Sequence, residues 1–147
     1  MANLDCRKEK LKWMTKSKER IVGFFAPVHK HDILQLCNKK YNFFDCRKQP
    51  LRVYSMVKYA AIARGDAEIF MKFARTGYKE KIWDHAAGVI ILQEAGGVVT
   101  DAGGSPLDFS KGIFLEGLDR GIIACAGAKL HEKIIRAVDA SWNSSSL

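Results

Sequence analysis

The sequence predicts an α/β fold in which helices cover both faces of a β-sheet. Segments with the apolar patterns of strands and helices alternate after Pro50, and eleven of the twelve glycines lie beyond that proline, where they mark turns. Residues 121–126 form a short, uninterrupted apolar run, which is typical of a strand buried on both faces. Residues 50–147 are therefore predicted to form the organised unit of the chain.

A strand, a helix and a second strand open this unit. Residues 51–54 predict the first strand, and residues 56–64 predict a helix that Gly65 ends. Three residues of this helix are expected to face the core: Val57, Ala60 and Ala61. Residues 68–73 alternate in the manner of a strand.

The longest apolar helix is predicted to begin near Asp84 and to end at the Gly96-Gly97 pair. Its residues are apolar almost all round the helix, which predicts burial on most faces. Residues 98–100 predict a strand, residues 101–106 a turn, and residues 130–142 a terminal helix. Four residues of the terminal helix are expected on its buried face: Leu130, Ile134, Ile135 and Val138.

Residues 1–49 differ in composition and are assigned only in outline. They hold twelve lysines and arginines against five acidic residues, so most of the net charge of +8 lies here. Residues 1–20 suggest a basic helix with a thin apolar stripe, residues 21–28 a strand, residues 31–37 a short helix and residues 38–50 a loop. A basic segment of this kind is more often a solvated surface than a nucleic-acid site, so nucleic-acid binding is not favoured.

Composition excludes several classes of protein. An apolar content of 48% and a charged content of 27% exclude a disordered chain, and the sequence has neither a membrane-spanning apolar run nor a signal-peptide pattern. The four cysteines have no zinc-binding spacing, so we expect free thiols in a reducing compartment: Cys6, Cys37, Cys46 and Cys125. The sequence therefore predicts an intracellular protein, cytoplasmic by default, with organelle targeting left open for a longer form.

Asp84 supports two interpretations. A carboxylate at a helix N-terminus is stabilised by the helix dipole and by free backbone amides, so Asp84 is read as an N-cap on structural grounds alone. It is equally a ligand for a hard cation such as Mg²⁺, with Ala86, Ala87 and Gly88 kept small so that a substrate can approach.

Ser55 and Lys58 also support two interpretations. Ser55 lies between a predicted strand and a predicted helix, and Lys58 follows on the same helical face. On structural grounds Ser55 is an N-cap and Lys58 a solvent-exposed lysine. Ser55 and Asp84 also lie where α/β proteins bind ligands, at the C-terminal end of a strand and the N-terminus of a helix.

Several linked motifs resemble the inositol monophosphatase superfamily. They are Trp-Asp-x-Ala-Ala-Gly at residues 83–88, Glu-Ala-Gly-Gly at residues 94–97, Thr-Asp at residues 100–101 and Pro-Leu-Asp-Phe at residues 106–109. Within it the chain is most similar to the 3'(2'),5'-bisphosphate nucleotidases, especially the plant type, whose Ser-x-x-Lys-Tyr motif matches residues 55–59. The resemblance covers roughly residues 50–147. It implies the C-terminal lobe of the layered sugar-phosphatase fold, with a mixed sheet between helices.

The resemblance also implies a function. It implies Mg²⁺-dependent hydrolysis of a phosphomonoester, with 3'-phosphoadenosine 5'-phosphate cleaved to AMP and phosphate. Asp84 would bind metal and help to place the substrate, while Ser55, Lys58 and Lys72 would contact the nucleotide. Lys72 stands where the family can have an arginine, and a lysine keeps the charge without the bidentate geometry. His31-Asp32 would match the end of the family's His-x-x-His-Asp motif, whose first histidine contacts substrate. Val28 stands at that first position and His29 would replace it only by a one-residue shift, so a surface histidine is the favoured interpretation.

The sequence lacks the other ligands that the family uses. These come from an upstream Glu and from Asp-Pro-x-Asp-Gly-Thr, and this sequence contains neither Asp-Pro nor Asp-Gly. One carboxylate does not hold several magnesium ions, so we expect a truncated product, inactive or weakly active alone and with no assigned catalytic residue. Two other functions stay open: a non-catalytic module that binds adenine nucleotide or pairs with a full-length relative, and inositol phosphate hydrolysis. Without a complementary lobe, association through an exposed sheet face is also expected.

Overall fold

The structure, a computed structural model, describes residues 23–25, 53, 55–73 and 77–144. The elements are β1 (Gly23–Phe25), α1 (Val57–Arg64), β2 (Ile69–Phe73), a 3₁₀ turn (Ile82–Asp84), α2 (Ala86–Glu94), β3 (Val98–Asp101), β4 (Gly121–Cys125) and α3 (Ala128–Ser144). The elements predicted within residues 1–20 and 31–50 lie outside the described residues, as does most of the strand predicted at 51–54.

The four strands form one mixed sheet in the order β1-β2-β4-β3. β1 runs parallel to β2, whereas β4 is antiparallel to both of its neighbours. All five residues of β4 are buried, as its uninterrupted apolar run predicts for a central strand covered on both faces. The α/β class and the mixed sheet are confirmed.

Two apolar clusters cover the two faces of this sheet. On one face, α1 and α2 pack against alternate strand residues, and the cluster includes Tyr59, Ile62, Phe70, Leu92 and Ile122. On the other face α3 packs against the intervening residues, and the cluster includes Ile69, Met71, Phe73, Ile123 and Ile134. Each fully buried large side chain contributes about 1.5–3 kcal/mol. Helices therefore sandwich the sheet, as predicted.

Glycines end α1 and α2 where the sequence predicts. Gly65 has φ +88° and its N–H donates to the carbonyls of Ala61 and Ile62. Gly96 has φ +87°, and the next residue, Gly97, donates its N–H to Leu92 O at 2.9 Å. Because L-residues rarely adopt this left-handed conformation, a glycine here stops the helix at low cost.

The predicted burial of α2 on most faces is wrong. Gly88, Val89 and Leu92 are buried, whereas Ile90 is 62% exposed and Ile91 is 50% exposed. A helix packed on one side buries positions three to four residues apart, and apolar residues between them remain on the outer face. Composition alone does not tell which apolar residues have a neighbour.

The predicted inward face of α1 is also partly wrong. Ala61 is buried, but Val57 is 56% exposed and Ala60 is exposed. The buried face is instead rotated toward Lys58, Tyr59 and Ile62. The aromatic ring of Tyr59 offers more apolar area than an alanine, so its burial decides the rotation of the helix.

Among the described residues, the exposed apolar surface lies on helices and turns instead of on a bare sheet. Trp83, the middle residue of the 3₁₀ turn, is 52% exposed, and Ile90 and Ile91 lie on the outer face of α2. Association of this chain therefore stays a prediction, with α2 as the exposed apolar face. None of the described helices has the length and apolar character needed to cross a membrane.

Asp101 organises the turn predicted at residues 101–106. Its Oδ1 accepts the backbone N–H groups of Gly103 at 3.0 Å and Ser105 at 2.8 Å. Its Oδ2 accepts the N–H of Asp119 at 3.3 Å. An aspartate carboxylate stabilises a turn when it accepts hydrogen bonds from nearby backbone N–H groups that have no strand partner. Thr-Asp, one of the four motifs, therefore has a structural role here.

His131 joins α3 to the sheet. Its Nε2 lies 2.8 Å from the Thr100 hydroxyl, which also donates to the carbonyl of Asp101, and both side chains are buried. The Thr100 hydroxyl donates its proton to the Asp101 carbonyl at 2.6 Å. The hydroxyl oxygen therefore accepts a hydrogen bond from Nε2–H of His131.

We expect His131 to make the fold less stable in acid. Burial lowers the pKa of His131 below its ordinary 6.5, so the unfolded chain takes up a proton at higher pH than the folded chain. Stability is therefore lost as the pH falls from about 6.5 toward the lower folded pKa. Urea unfolding at pH 7.5 and pH 5.5, compared with His131→Gln, measures this. An equal loss of unfolding free energy between pH 7.5 and pH 5.5 in the two proteins would contradict this prediction. Burial also lowers the pKa of His85, so His85 destabilises the fold in acid as well, but it does so equally in both proteins and cancels in the comparison.

Candidate functional site

Ser55 lies in a tight turn immediately before α1. It has φ +51°, and it is one of two non-glycine residues with positive φ in the described part of the chain. A left-handed conformation costs a serine of the order of 1–2 kcal/mol, so the surrounding contacts must hold it. Its side chain is exposed. Met56, not Ser55, is the N-cap residue of α1, and the predicted N-cap role is wrong.

Lys58 connects the Ser55 turn to Asp84. Its Nζ donates to the carbonyl of Ser55 at 2.6 Å and to the carbonyl of Asp84 at 2.8 Å. The residue is only 7% exposed, and Nζ lies 5.2 Å from the centroid of the Phe70 ring. Burial lowers the pKa of Lys58 to about 8, against the opposing attraction of Asp84. The interpretation of Lys58 as a solvent-exposed lysine is wrong.

Asp84 is the last residue of the 3₁₀ turn and stands two residues before α2 begins. The N-cap residue of α2 is His85, and no side chain caps this helix. The N-cap interpretation of Asp84 is therefore wrong. Within the part of the chain that the structure describes, its half-buried carboxylate has no hydrogen-bond or ion-pair partner. The carboxylate is free to bind a cation or a donor group.

The structure thus brings Ser55, Lys58 and Asp84 together at the N-terminal ends of α1 and α2. Residues 29 and 26 positions apart become neighbours because both helices pack on the same face of the sheet. Backbone amides at helix N-termini favour anions, and the ammonium of Lys58 adds a positive charge. This end of the helix layer therefore suits an anionic ligand.

Lys72 lies on β2 and forms a salt bridge with Glu80. Its Nζ is 2.7 Å from Oε1 and 2.8 Å from Oε2, and it also lies 4.6 Å from the centroid of the Tyr78 ring. The Lys72 side chain is 23% exposed and that of Glu80 is 9% exposed. The salt bridge therefore fixes the position of the Lys72 ammonium at the edge of the site, while the side chain stays partly exposed to solvent.

A chain of buried polar groups runs from Lys72 into the helix layer. Glu80 Oε2 lies 3.1 Å from His85 Nε2, and His85 Nδ1 lies 2.6 Å from the Tyr59 hydroxyl. His85 is 1% exposed and Tyr59 is fully buried. Among the described side chains, no buried polar atom is left without a hydrogen-bond partner. The network is satisfied, which is the condition under which buried polar groups stabilise one arrangement.

Burial and hydrogen bonding shift the pKa values of this network. Burial raises the pKa of Tyr59 and lowers that of His85, so both are neutral near pH 7. Burial alone would raise the pKa of Glu80, but hydrogen bonds from His85 and Lys72 outweigh it and hold the pKa below its ordinary value. The network therefore contains one ion pair, a neutral imidazole and a neutral phenol.

Sequence reasoning did not identify Glu80, His85 or Tyr59 as members of the site. Tyr59 ends the Ser-x-x-Lys-Tyr motif and His85 fills the open position of Trp-Asp-x-Ala-Ala-Gly, and neither motif gives these residues a role. Glu80 lies in a polar stretch that is typical of an exposed loop. A histidine that directly precedes the apolar run of α2 is the one local signal of a buried polar partner.

Gly88 is small for a different reason from the one predicted. A Cβ at this position would lie 2.4 Å from Cδ2 of Tyr59. Gly88 is buried against that ring, so its size allows α2 to approach α1 closely. The approach of the two helices is what brings Lys58 to Asp84.

The described residues do not make a complete magnesium site. Among them, no group of three or more His, Cys, Asp or Glu side chains is placed to hold a metal ion. Mg²⁺ binds in a near-octahedral shell of oxygen ligands and retains its waters unless carboxylates and phosphate converge on it. Asp84 supplies one such carboxylate, so further ligands have to come from outside this set. His29 and His31 also lie outside the described residues.

A sequence model of the inositol monophosphatase family matches residues 3–143. The chain belongs to the inositol monophosphatase family. The matched range includes most of residues 1–49, where the motifs showed little resemblance to the family. The family assignment predicted from the motifs is thereby confirmed, and Mg²⁺ dependence is general in this family.

Bisphosphate nucleotidases are among the most similar relatives of this family member. The 3',5'-bisphosphate nucleotidase AHL of Arabidopsis thaliana is 79% identical over 106 residues, which are 72% of this chain and 28% of that protein. A 3'(2'),5'-bisphosphate nucleotidase of Oryza sativa is 56% identical over 89 residues, which are 60% of this chain and 24% of that protein. The chain therefore spans about a quarter of the length of the curated relatives it matches.

Solved structures of family members share the fold. A staphylococcal IMPase-II aligns with a TM-score of 0.58 and 18% identity, over 88% of this chain and 47% of that one. The IMPase of Thermotoga maritima aligns with a TM-score of 0.55 and 22% identity, over 86% of this chain and 43% of that one. The layered inositol monophosphatase-like fold is confirmed for this chain.

Proposed function

We propose that this chain forms the nucleotide-binding lobe of a Mg²⁺-dependent phosphomonoesterase that hydrolyses 3'-phosphoadenosine 5'-phosphate to AMP and phosphate. One observation carries the proposal: Lys58 Nζ binds the carbonyls of both Ser55 and Asp84, so two distant motifs form one site with a free carboxylate. The names of the relatives support the same substrate class.

The four site residues divide between phosphate and metal. Lys58 and the open part of Lys72 offer positive charge to phosphate oxygens, and the exposed hydroxyl of Ser55 offers a hydrogen bond. Asp84 offers its carboxylate to Mg²⁺ and to the substrate. A bound Mg²⁺ would neutralise phosphate charge and activate water, but no catalytic step is assigned to the described residues because they do not complete its site.

The second candidate function is a non-catalytic module that binds adenine nucleotide or pairs with a complementary lobe. It is favoured because no group of three metal-binding side chains occurs among the described residues, and the outer face of α2, with Ile90 and Ile91, favours pairing. Inositol phosphate hydrolysis is a further alternative, and its substrate lacks a base. Nucleic-acid binding, which the sequence does not favour, would depend on residues 1–49, and these lie outside the described residues except for β1. The intracellular location stays a prediction.

The purified chain is expected to bind 3'-phosphoadenosine 5'-phosphate more tightly than AMP or inositol 1-phosphate in calorimetric titrations. Lys58→Met should weaken binding by about 10- to 100-fold, because a buried charged hydrogen bond contributes about 1.5–3 kcal/mol. Lys133→Met, which removes an exposed lysine on α3 at the opposite face of the sheet, is the matched control and should change little. Equal effects of the two variants would sink the proposed site.

Phosphate release separates the two functions. Assays contain Mg²⁺ or EDTA, with Asp84→Asn as the control. Binding without release from the folded chain supports the nucleotide-binding lobe and assigns hydrolysis to the larger enzyme. Release that requires Mg²⁺ and is lost in Asp84→Asn would establish the chain as an enzyme by itself. It would contradict the expectation that one carboxylate is too few to hold the magnesium ions.

A further inference from the structure

The carboxylate of Glu80 lies where all the site-bearing elements meet. It contacts Lys72 on β2 and His85 at the start of α2, and through His85 it reaches Tyr59 on α1, next to Lys58. Its backbone is fixed as well, because the Glu80 carbonyl accepts the N–H of Leu115 at 2.8 Å. A single side chain thus links the elements that hold Lys58, Lys72 and Asp84.

The hydrogen-bond chemistry of this network fixes the position of each proton. An ionised carboxylate only accepts hydrogen bonds, so the His85 Nε2 that faces Glu80 must carry a proton. In a neutral ring Nδ1 is then the acceptor, and the Tyr59 hydroxyl is its donor. The order runs from Tyr59 O–H to Nδ1, and from Nε2–H to Oε2 of Glu80, which also accepts from Lys72 Nζ at 2.8 Å.

We propose that Glu80 is a positioning residue of this site, which selects the Nε2–H tautomer of His85 and thereby fixes the Asp84–His85 segment against Lys58. The segment is held from two sides, by Lys58 on the Asp84 carbonyl and by the network on the His85 ring. The direction of the Asp84 carboxylate depends on both. This inference goes beyond the proposed function, because it concerns the free protein and does not require a nucleotide.

Glu80→Met tests the inference, with Glu80→Gln as the control. In wild type Glu80 Oε2 faces both Lys72 Nζ at 2.8 Å and His85 Nε2 at 3.1 Å. In Glu80→Gln an amide oxygen at this position accepts from both donors, so the Nε2–H tautomer is kept. Glu80→Met leaves no acceptor there, and the Lys72 ammonium becomes the donor beside Nε2. The proton then moves to Nδ1, the Tyr59 hydroxyl turns to accept it, and the tautomer inverts. A network that only fills space has no reason to respond in this way.

The measurement is the ¹⁵N NMR spectrum of the full chain labelled at histidine, at pH 7.5, with the His85 signals assigned from a His85→Gln spectrum. Wild type and Glu80→Gln are expected to show Nε2–H, and Glu80→Met to show Nδ1–H, with a shifted backbone amide signal of Asp84. Tyr59→Phe keeps the carboxylate and should keep Nε2–H. In Glu80→Met with Lys72→Met no cation donates to Nε2, so Nε2–H should be populated again.

Two results would overturn the inference. Retention of Nε2–H in Glu80→Met would mean that another group selects the tautomer, and loss of Nε2–H in Tyr59→Phe would give that role to Tyr59. Should Glu80→Met not fold, the Tyr59→Phe spectrum still decides between these two residues. Nucleotide titrations of the same variants test the proposed function separately, because a correct tautomer pattern without nucleotide binding would leave this inference standing and remove the other.

Discussion

Gly121→Ala is expected to lower the free energy of unfolding by about 3–4 kcal/mol. Gly121 has φ +146°, which L-residues rarely adopt, and strain of this kind costs about 1–3 kcal/mol. The new Cβ would also lie 2.2 Å from the Lys72 carbonyl oxygen and 2.6 Å from the Phe73 Cα. Both are backbone atoms of β2, so the clash is relieved only when β2 and β4 separate.

Urea unfolding followed by circular dichroism measures this loss, and Gly127→Ala is the matched control. Gly127 lies just beyond the other end of β4, has no positive φ, and a Cβ there would meet no atom within 4 Å. The control should change stability by less than about 0.5 kcal/mol. Similar unfolding midpoints for the two variants would show that β4 tolerates a side chain at its first position, against the geometry of the sheet.

Gly88→Ala is expected to lower the free energy of unfolding by about 2–3 kcal/mol, the usual cost of overpacking a core. On helix propensity alone the change should stabilise α2 by about 1 kcal/mol. The Cβ would lie 2.4 Å from Cδ2 and 2.9 Å from Cγ of Tyr59. That ring is fully buried and its hydroxyl is bound to His85, so it has no free direction in which to move.

The same variant should also weaken nucleotide binding, because a wider spacing of α1 and α2 draws Lys58 away from the Asp84 carbonyl. Ala95→Ser is the matched control: it adds one heavy atom at the exposed C-terminal end of α2, away from the site, and should cost about 0.5 kcal/mol without affecting binding. A Gly88→Ala protein more stable than wild type would mean that propensity outweighs packing here and that Tyr59 yields.

Predictions from local sequence pattern were correct where the residues that cause a structural feature lie in the same segment as that feature. Gly65 and Gly96 stop helices because a left-handed residue is needed there, whatever surrounds it. The apolar run of β4 marks a central strand because both of its faces need covering. The motifs at residues 55–59 and 83–88 identified the family because their residue types and spacing are specific.

Predictions failed where the cause lies in another segment. Ile90 and Val89 are both apolar and adjacent, yet only Val89 meets the core. The same limit applied to the site: Lys58 resembles a surface lysine until α2 packs against α1 and the Asp84 carbonyl becomes its partner. No local pattern contains that partner.

Local patterns were enough to predict the strands, helices and helix ends from residue 56 onward, and the candidate site residues Ser55, Lys58, Lys72 and Asp84. The buried faces of the helices and the reason for a glycine at position 88 became clear only from the packed fold. The same holds for the network of Glu80, His85 and Tyr59, which connects the elements of the site. The physical reason is that propensity and motif spacing act within a segment of chain. Burial and hydrogen-bond partnership, in contrast, are properties of two segments that the fold brings together.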